Sequence, residues 1–238
     1  MSELTGKVAI VTGGSSGIGL ATCQRLVKDG AIAVSADLEA PEDSRIKFVK
    51  TDVTDQRSLQ NLVETVVRQY HQIDILVANA GITEHKAGVA DLDVANWQRV
   101  IDVDLTGVVL TDKYVVQQMV KQQSGSVINM SSILGVVGAA NSQAYSAAKA
   151  GVANFTRSQA VTYAPQGIRF NAVAPGYVNT PLLQTLPSDV TDSMVAKMPV
   201  GRLAEPSEIA NVIAFLASDD ASIVTGAVIN ADGGYTAQ

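Results

Sequence analysis

One cysteine, Cys23, and two histidines, His71 and His85, stand in 238 residues. That scarcity excludes an intrachain disulfide and argues against a cysteine or histidine metal cluster, so no metal is expected. Cys23 reads as a small core residue on the first helix and both histidines as surface residues. A basic excess is missing too: 17 Lys and Arg against 23 Asp and Glu give a net charge of -6, which argues against a nucleic-acid partner. No apolar run reaches the length of a membrane span, so no membrane role is indicated. Met1 to Gly6 is short and polar and runs into a strand-like KVAIVT without the arrangement of a secretory signal, so a cytoplasmic location is expected. No linker, low-complexity tract or internal repeat interrupts the chain, and one domain over residues 1–238 is predicted.

What is present is alternation. Apolar runs of strand length (KVAIVT, IAVSAD, IKFVKTD, IDILVANAG, SVINMSS, IRFNAVAPG and GAVINADGG) are separated by stretches of helical periodicity. The periodicity is clearest over Gly17 to Lys28, Ser58 to Tyr70, Trp97 to Val120, Ala144 to Tyr163 and Glu205 to Leu216. Strands rich in Val and Ile that repeatedly precede helices predict βαβ units. The expected fold is a doubly wound, Rossmann-like α/β arrangement of about seven mainly parallel strands flanked by helices. Between Asp37 and Ile46 lies only LEAPEDSR, too short for a crossover helix. A loop or single turn is expected there, leaving that edge of the sheet thinly covered.

TGGSSGIG, Thr12 to Gly19, follows the first strand and opens the first helix. Its glycines let the backbone turn sharply and approach a pyrophosphate, which the helix N-terminus attracts. Strand, turn and helix together give the motif its required context. Asp37 falls at the end of the second strand, where an acid binds adenosine ribose hydroxyls and repels a 2′-phosphate. Gly14, Ser15 and Leu38 supply no Arg or Lys to receive one, so NAD(H) is expected over NADP(H).

In SSILGVVGAANSQAYSAAKAG, Tyr145 and Lys149 share one helix face among small residues. By themselves they fit a snorkelling Lys beside a half-buried Tyr, or a thin helix in a tight helix contact, as well as a catalytic pair.

The chain resembles the short-chain dehydrogenase/reductase family. The resemblance rests on TGGSSGIG, the Asp52-Val53 pair, ANAG at Ala78 to Gly81, MSS, YSAAK, NAVAPGYVNTP and the closing GAVINADGG. It implies that Tyr145 is the proton donor and acceptor, Lys149 its partner and Ser132, rather than Ser131, the anchor of the substrate oxygen. An ammonium and a positive nicotinamide beside a phenol stabilise its phenolate, which suits that role. The resemblance also implies that Gly13, Ser15, Ser16, Gly17, Ile18 and Gly19 surround the pyrophosphate, Asp37 the ribose, Asp52 and Val53 the adenine, and Asn79, Ala80 and Gly81 the middle of the cofactor. Tyr145, Lys149, Pro175, Gly176, Tyr177, Val178 and Thr180 then flank the nicotinamide half.

Two positions depart from the family. Ala78 replaces a frequent Asn at a strand end, and Asp104 stands where an Asn commonly supports a proton-relaying water. Asp104 either couples to Lys149 or caps a bend in its helix facing away. The function implied is NAD-dependent interconversion of a secondary alcohol or polyol with its ketone. The alternatives are a 3-oxoacyl thioester reductase and a non-catalytic dinucleotide-binding protein. The expected lid, Asn179 to Arg202, is largely apolar, with Leu182, Leu183 and Met194. Ile82, Thr83, Leu134, Asn141 and Tyr177 are further candidates for the pocket wall. Surplus apolar surface on the two longest helices, which family members commonly pair, predicts a homotetramer.

Overall fold

Strands apolar on both faces need helices on both sides of the sheet. A computed structural model describes residues 3–184 and 187–238, without the side chains of Leu182 and Gln184. The lid expectation for Leu182, and residues 185–186 of that segment, therefore lie outside the described residues. Among the described residues there are seven strands: β1 (Val8–Thr12), β2 (Ile32–Asp37), β3 (Lys47–Lys50), β4 (Ile75–Ala78), β5 (Gly125–Met130), β6 (Ile168–Pro175) and β7 (Val228–Ala231). They form one wholly parallel sheet in the order β3-β2-β1-β4-β5-β6-β7. Each coincides with an expected run. The helices are α1 (Gly17–Lys28), α2 (Gln56–Tyr70), α3 (Val94–Ile101), α4 (Gly107–Gln122), α5 (Ala144–Tyr163), α6 (Pro181–Gln184), α7 (Ser188–Ala196) and α8 (Pro206–Ala217).

The period-two direction of strand side chains divides the core. Ala9 and Val11 of β1, with Ile75 and Val77 of β4, pack with Leu26 of α1 and Ile209 and Ile213 of α8. Val8 and Ile10, with Leu76, face Leu59 and Leu62 of α2 and Val115 and Met119 of α4. Cys23 joins the first layer, fully buried, and its thiol is pushed up to about 12 by burial and then by the charges of Asp37 and Asp43. No helix occupies residues 38–46, and Phe48 on β3 remains exposed, so the edge is thinly covered as expected. Among the described residues no helix is long and apolar enough to cross a membrane.

One expected helix is three segments. The periodicity from Trp97 to Val120 predicts one continuous helix, but α3 ends at Ile101, and Asp102–Thr106 form a π-helical turn before α4. Gly107 N–H bonds back to Asp102 C=O, five residues away, and the added residue of this wider turn changes which side chains face inward. Asp104, in its middle, is fully buried.

A second buried acid lies one helix further on. Asp112 of α4 accepts from Asn129 Nδ2 at 3.0 Å, and that amide also donates to Thr156 Oγ1 at 3.1 Å. Asp112 Oδ1 and Asn129 Oδ1 have no hydrogen-bond partner among the described residues. A protonated Asp112 brings the one donor this pair lacks. Burial, opposed by the Asn129 hydrogen bond, pushes the carboxyl up to about 7. The folded chain therefore keeps a proton that the unfolded chain, titrating near 3.9, releases. This contribution to stability falls as pH rises from about 4 to about 7, then levels off, amounting to about 4 kcal/mol in all. Urea unfolding of wild type and Asp112→Asn across that window should show the variant gaining stability relative to wild type with rising pH. Parallel curves would show that Asp112 is ionised in the fold.

Candidate active site

The chain leaves β1 towards β2 on one side of the sheet and later takes β4 on the other, opening a crevice at the strands' carboxyl ends. The glycine loop and the loop after β4 form its walls. Asn79 ties them together: its Nδ2 donates to Thr12 C=O at 3.0 Å and Gly13 C=O at 3.2 Å. Thr12 Oγ1 receives the N–H groups of Asn79 and Ala80. A Cβ on Gly19 would overlap the Gly13 carbonyl, so only glycine lets α1 start this close to β1. Ser16 is the N-cap residue of α1, yet its hydroxyl makes no capping bond, leaving first-turn N–H groups directed into the crevice. Asp37 closes the far side, accepting from Ser15 N–H at 3.0 Å and Leu38 N–H at 2.7 Å. These features fit a dinucleotide: bare helix N–H groups for the pyrophosphate and a carboxylate at the ribose position.

Ser132, Tyr145, Lys149 and Asp104 line one cavity of about 290 Å³. Asn79, Gly81, Ile18, Pro175, Gly176, Tyr177, Val178 and Thr180 line it too. Gly13, Ser15, Ser16, Gly17, Gly19, Asp37, Asp52, Val53 and Ala80 lie outside the cavity lining. Asp52 Oδ1 is engaged by Thr54, and the Val53 side chain is buried in the core, so Val53 has only its backbone for the expected adenine contact. Of the expected pocket residues, Ile82, Thr83, Leu134, Tyr177, Leu183 and Met194 line the cavity. Asn141 does not: at φ 61° it sits in a left-handed turn and its carbonyl accepts from Ala87 N–H.

The two serines separate by what they hold. Ser131 Oγ donates to the Lys149 carbonyl at 2.9 Å, pinning the end of β5 to α5. Ser132 begins the short turn after β5, its Oγ accepting from Leu134 N–H at 3.2 Å. The small residues of this stretch allow the approach. A Cβ on Gly135 would stand 2.7 Å from the Lys149 carbonyl.

Asp104 and Lys149 are a buried ion pair, Oδ2 to Nζ 3.2 Å, at 0 and 4% side-chain exposure. Lys149 Nζ also donates to Met130 C=O at 3.1 Å, and Asp104 Oδ1 accepts from Ile82 N–H at 2.8 Å. The reading of Asp104 as a helix cap facing away is overturned, because the π-helical turn aims it at Lys149. No water is needed between them. Burial pushes the Asp104 carboxyl up, against the pull of Lys149. Burial works to lower Lys149, but the charges of Asp104 and then Tyr145 outweigh it and hold the ammonium above its usual range. A Cβ on Gly81 would come within 2.9 Å of Asp104 Oδ2, so the pair sits against the bare backbone of this loop. The Lys149 ammonium lies 5.4 Å from the centre of the Tyr145 ring.

Glu84 is the residue that sequence reasoning missed. Gln143, the N-cap position of α5, gives no side-chain cap. Glu84 replaces it from another loop, with Oε2 accepting from Gln143 N–H at 3.0 Å and Tyr145 N–H at 3.1 Å. Its Oε1 bonds Ser142 Oγ. A carboxylate at a helix N-terminus is stabilising, and here it holds the backbone of Tyr145 itself. Nothing local could have disclosed a cap contributed from some 60 residues earlier.

Residues 13–236 match the family described as enoyl-(acyl carrier protein) reductase. The chain is 54% identical to cis-4-hydroxycyclohexanecarboxylate dehydrogenase of Sinomonas cyclohexanicum, covering 97% of each. The chain belongs to the short-chain dehydrogenase/reductase family. Within this family it is also 36% identical to cyclohexanol dehydrogenase of an Acinetobacter strain, over 100% of this chain and 98% of the relative. The ligand-free aldohexose dehydrogenase of Thermoplasma acidophilum superposes with a TM-score of 0.93 at 32% identity, covering 99% of this chain and 96% of that one. The short-chain dehydrogenase/reductase described here is an oxidoreductase that acts on CH–OH groups and interconverts a secondary alcohol and its ketone.

Proposed function

We propose that this dehydrogenase uses NAD(H) and acts on a secondary alcohol borne by a small carbocyclic ring. The observation that carries the reading is the apolar cavity in which Ser132, Tyr145 and the Asp104-Lys149 pair meet. The dinucleotide supplies the hydride acceptor or donor when bound. The first-turn N–H groups of α1, Asp37 and the loop around Asn79, Ala80 and Gly81 would hold it. Ser132 Oγ donates to the substrate oxygen and fixes the carbon beneath it. The Tyr145 phenol exchanges the hydroxyl proton, removing it in oxidation and returning it in reduction. Lys149, with its charge sustained by Asp104, favours the phenolate and has an N–H left for ribose hydroxyls.

The ring reading draws on the relatives that act on hydroxycyclohexanecarboxylate and cyclohexanol, and on the apolar wall of Ile82, Leu134, Leu183 and Met194. The single domain assembles as a homotetramer in the cytoplasm. Supporting the assembly are two separate apolar faces: a groove between α4 and α5 containing Val109, Val116 and Phe155, and the α8 side with Phe215 and Ile223 exposed.

The NAD(H) preference rests on Asp37. The strand register sets Lys50 opposite Asp37, a cation absent from the glycine loop itself, though the two form no ion pair. Initial rates on cyclohexanols with NAD+ and NADP+ test the whole reading. NAD+ should give the higher kcat/KM, and Asp37→Ser with Leu38→Arg should reverse the order by removing a repulsive charge and adding a phosphate partner. Better wild-type turnover with NADP+ would refute the cofactor assignment. Turnover of 3-oxoacyl thioesters without turnover of cyclohexanols would refute the substrate assignment.

A further inference from the structure

Lys149 and Lys86 are the two cations lining the cavity among the described residues. Two of the three N–H groups of Lys149 go to Asp104 and the Met130 carbonyl, and the third is the one assigned above to ribose hydroxyls. The two acids of the lining are also spent: Asp104 on Lys149 and Ile82 N–H, Glu84 on the start of α5. Lys86, exposed at the rim, makes no hydrogen bond or ion pair among the described residues. Its backbone is nevertheless fixed. Ile82 N–H is held by Asp104, His85 N–H by Asn96 Oδ1 at 2.8 Å, and Ala87 N–H by Asn141 C=O at 3.1 Å. An unengaged ammonium on a tethered loop thus borders an apolar cavity whose two carboxylates already have partners, Asp104 in an ion pair and Glu84 in hydrogen bonds.

We infer that Lys86 forms an anion subsite, so that the substrates preferred by this enzyme are hydroxy acids: ring alcohols carrying a carboxylate away from the reacting hydroxyl. The inference rests on the secondary-alcohol reading above and adds to it the charge of the substrate and the residue that reads it. Ser132 and Tyr145 take the hydroxyl end, Ile82, Leu134 and Leu183 the ring, and Lys86 the carboxylate. A charge-assisted hydrogen bond of this kind favours the acid over its neutral isostere by roughly tenfold.

The test compares cis-4-hydroxycyclohexanecarboxylate with its primary amide, which has the same shape without the charge. In wild type, kcat/KM should be higher for the acid. Lys86→Met should lower the acid-to-amide ratio roughly tenfold, Lys86→Arg should retain it, and Lys86→Glu should push it below that of Lys86→Met. The acid's KM in wild type should also climb with ionic strength more steeply than the amide's. A ratio near one in wild type, or a ratio that Lys86→Met leaves within twofold, overturns the subsite. A change common to both substrates cancels in the ratio, so general damage to the loop cannot imitate the result. Turnover of the amide alone overturns the inference while sparing the alcohol reading, whereas turnover of neither substrate with NAD+ or NADP+ overturns both.

Discussion

Tyr145→Phe is expected to lower kcat for alcohol oxidation by about 10²–10⁴-fold, with the melting temperature unchanged within experimental scatter. The two parts of the result follow from one observation. Tyr145 is fixed by its backbone, whose N–H is held by Glu84, and its phenol oxygen makes no hydrogen bond to the described protein. Removing that oxygen breaks no bond within the fold, so stability has no reason to fall. Proton exchange with the substrate loses the phenol that lines the cavity beside Lys149. Thermal unfolding and single-turnover kinetics on one preparation check both parts. Loss of activity accompanied by a large drop in melting temperature would mean the ring oxygen serves the fold, and retained turnover would move the acid-base role elsewhere.

Asp104→Asn should displace the whole pH profile of oxidation towards acid, by about one unit. The carboxylate stands 3.2 Å from Lys149 Nζ with no side-chain exposure, so solvent screens it little. It acts on both limbs. On the rising limb its negative charge opposes formation of a phenolate nearby, and without it the catalytically ready form appears at lower pH. On the falling limb it sustains the Lys149 ammonium. Burial lowers that lysine, and once Asp104 is neutral only the Tyr145 charge opposes the burial, so the ammonium is lost at lower pH. Profiles of kcat/KM report the free enzyme and separate this from effects on the ternary complex. Superimposable profiles would make Asp104 a packing residue. The variant should also be less stable, since removing one partner of a buried pair typically costs about 3–5 kcal/mol.

What could be read from the sequence was what short-range pattern encodes. The seven strands announced themselves as Val- and Ile-rich runs, and the glycine loop by its position between β1 and α1. The Tyr145 and Lys149 pair was visible through one-turn spacing, although their chemistry needed the family resemblance. Long-range contacts escaped. The π-helical turn at Asp102–Thr106 interrupts an apolar repeat that looked continuous, because nothing in DVDLT distinguishes a five-residue closure from a four-residue one. Asp104 could accordingly be flagged as unusual but not aimed. The Asp112-Asn129 pair joins α4 to β5, and each partner taken alone resembles an ordinary polar residue. Glu84 lies in a loop where an acid normally reads as solvated, and only folding brings it to α5.

The double duty of the loop after β4 bears on how this enzyme could be re-engineered. Positions 82 to 88 are the natural target for a library aimed at new substrates, since 82, 83, 84 and 86 line the cavity and the loop carries no regular secondary structure before residue 89. Full randomisation would discard Glu84 and release the first turn of the helix bearing Tyr145, so most clones would be inactive for reasons unrelated to the new substrate. Diversity is better confined to positions 83 and 86, with Glu84 and the donors at 82, 85 and 87 kept as fixed anchor points. The loop then behaves as an exchangeable insert on a constant mounting, and selection acts on recognition instead of repeatedly rediscovering the cap.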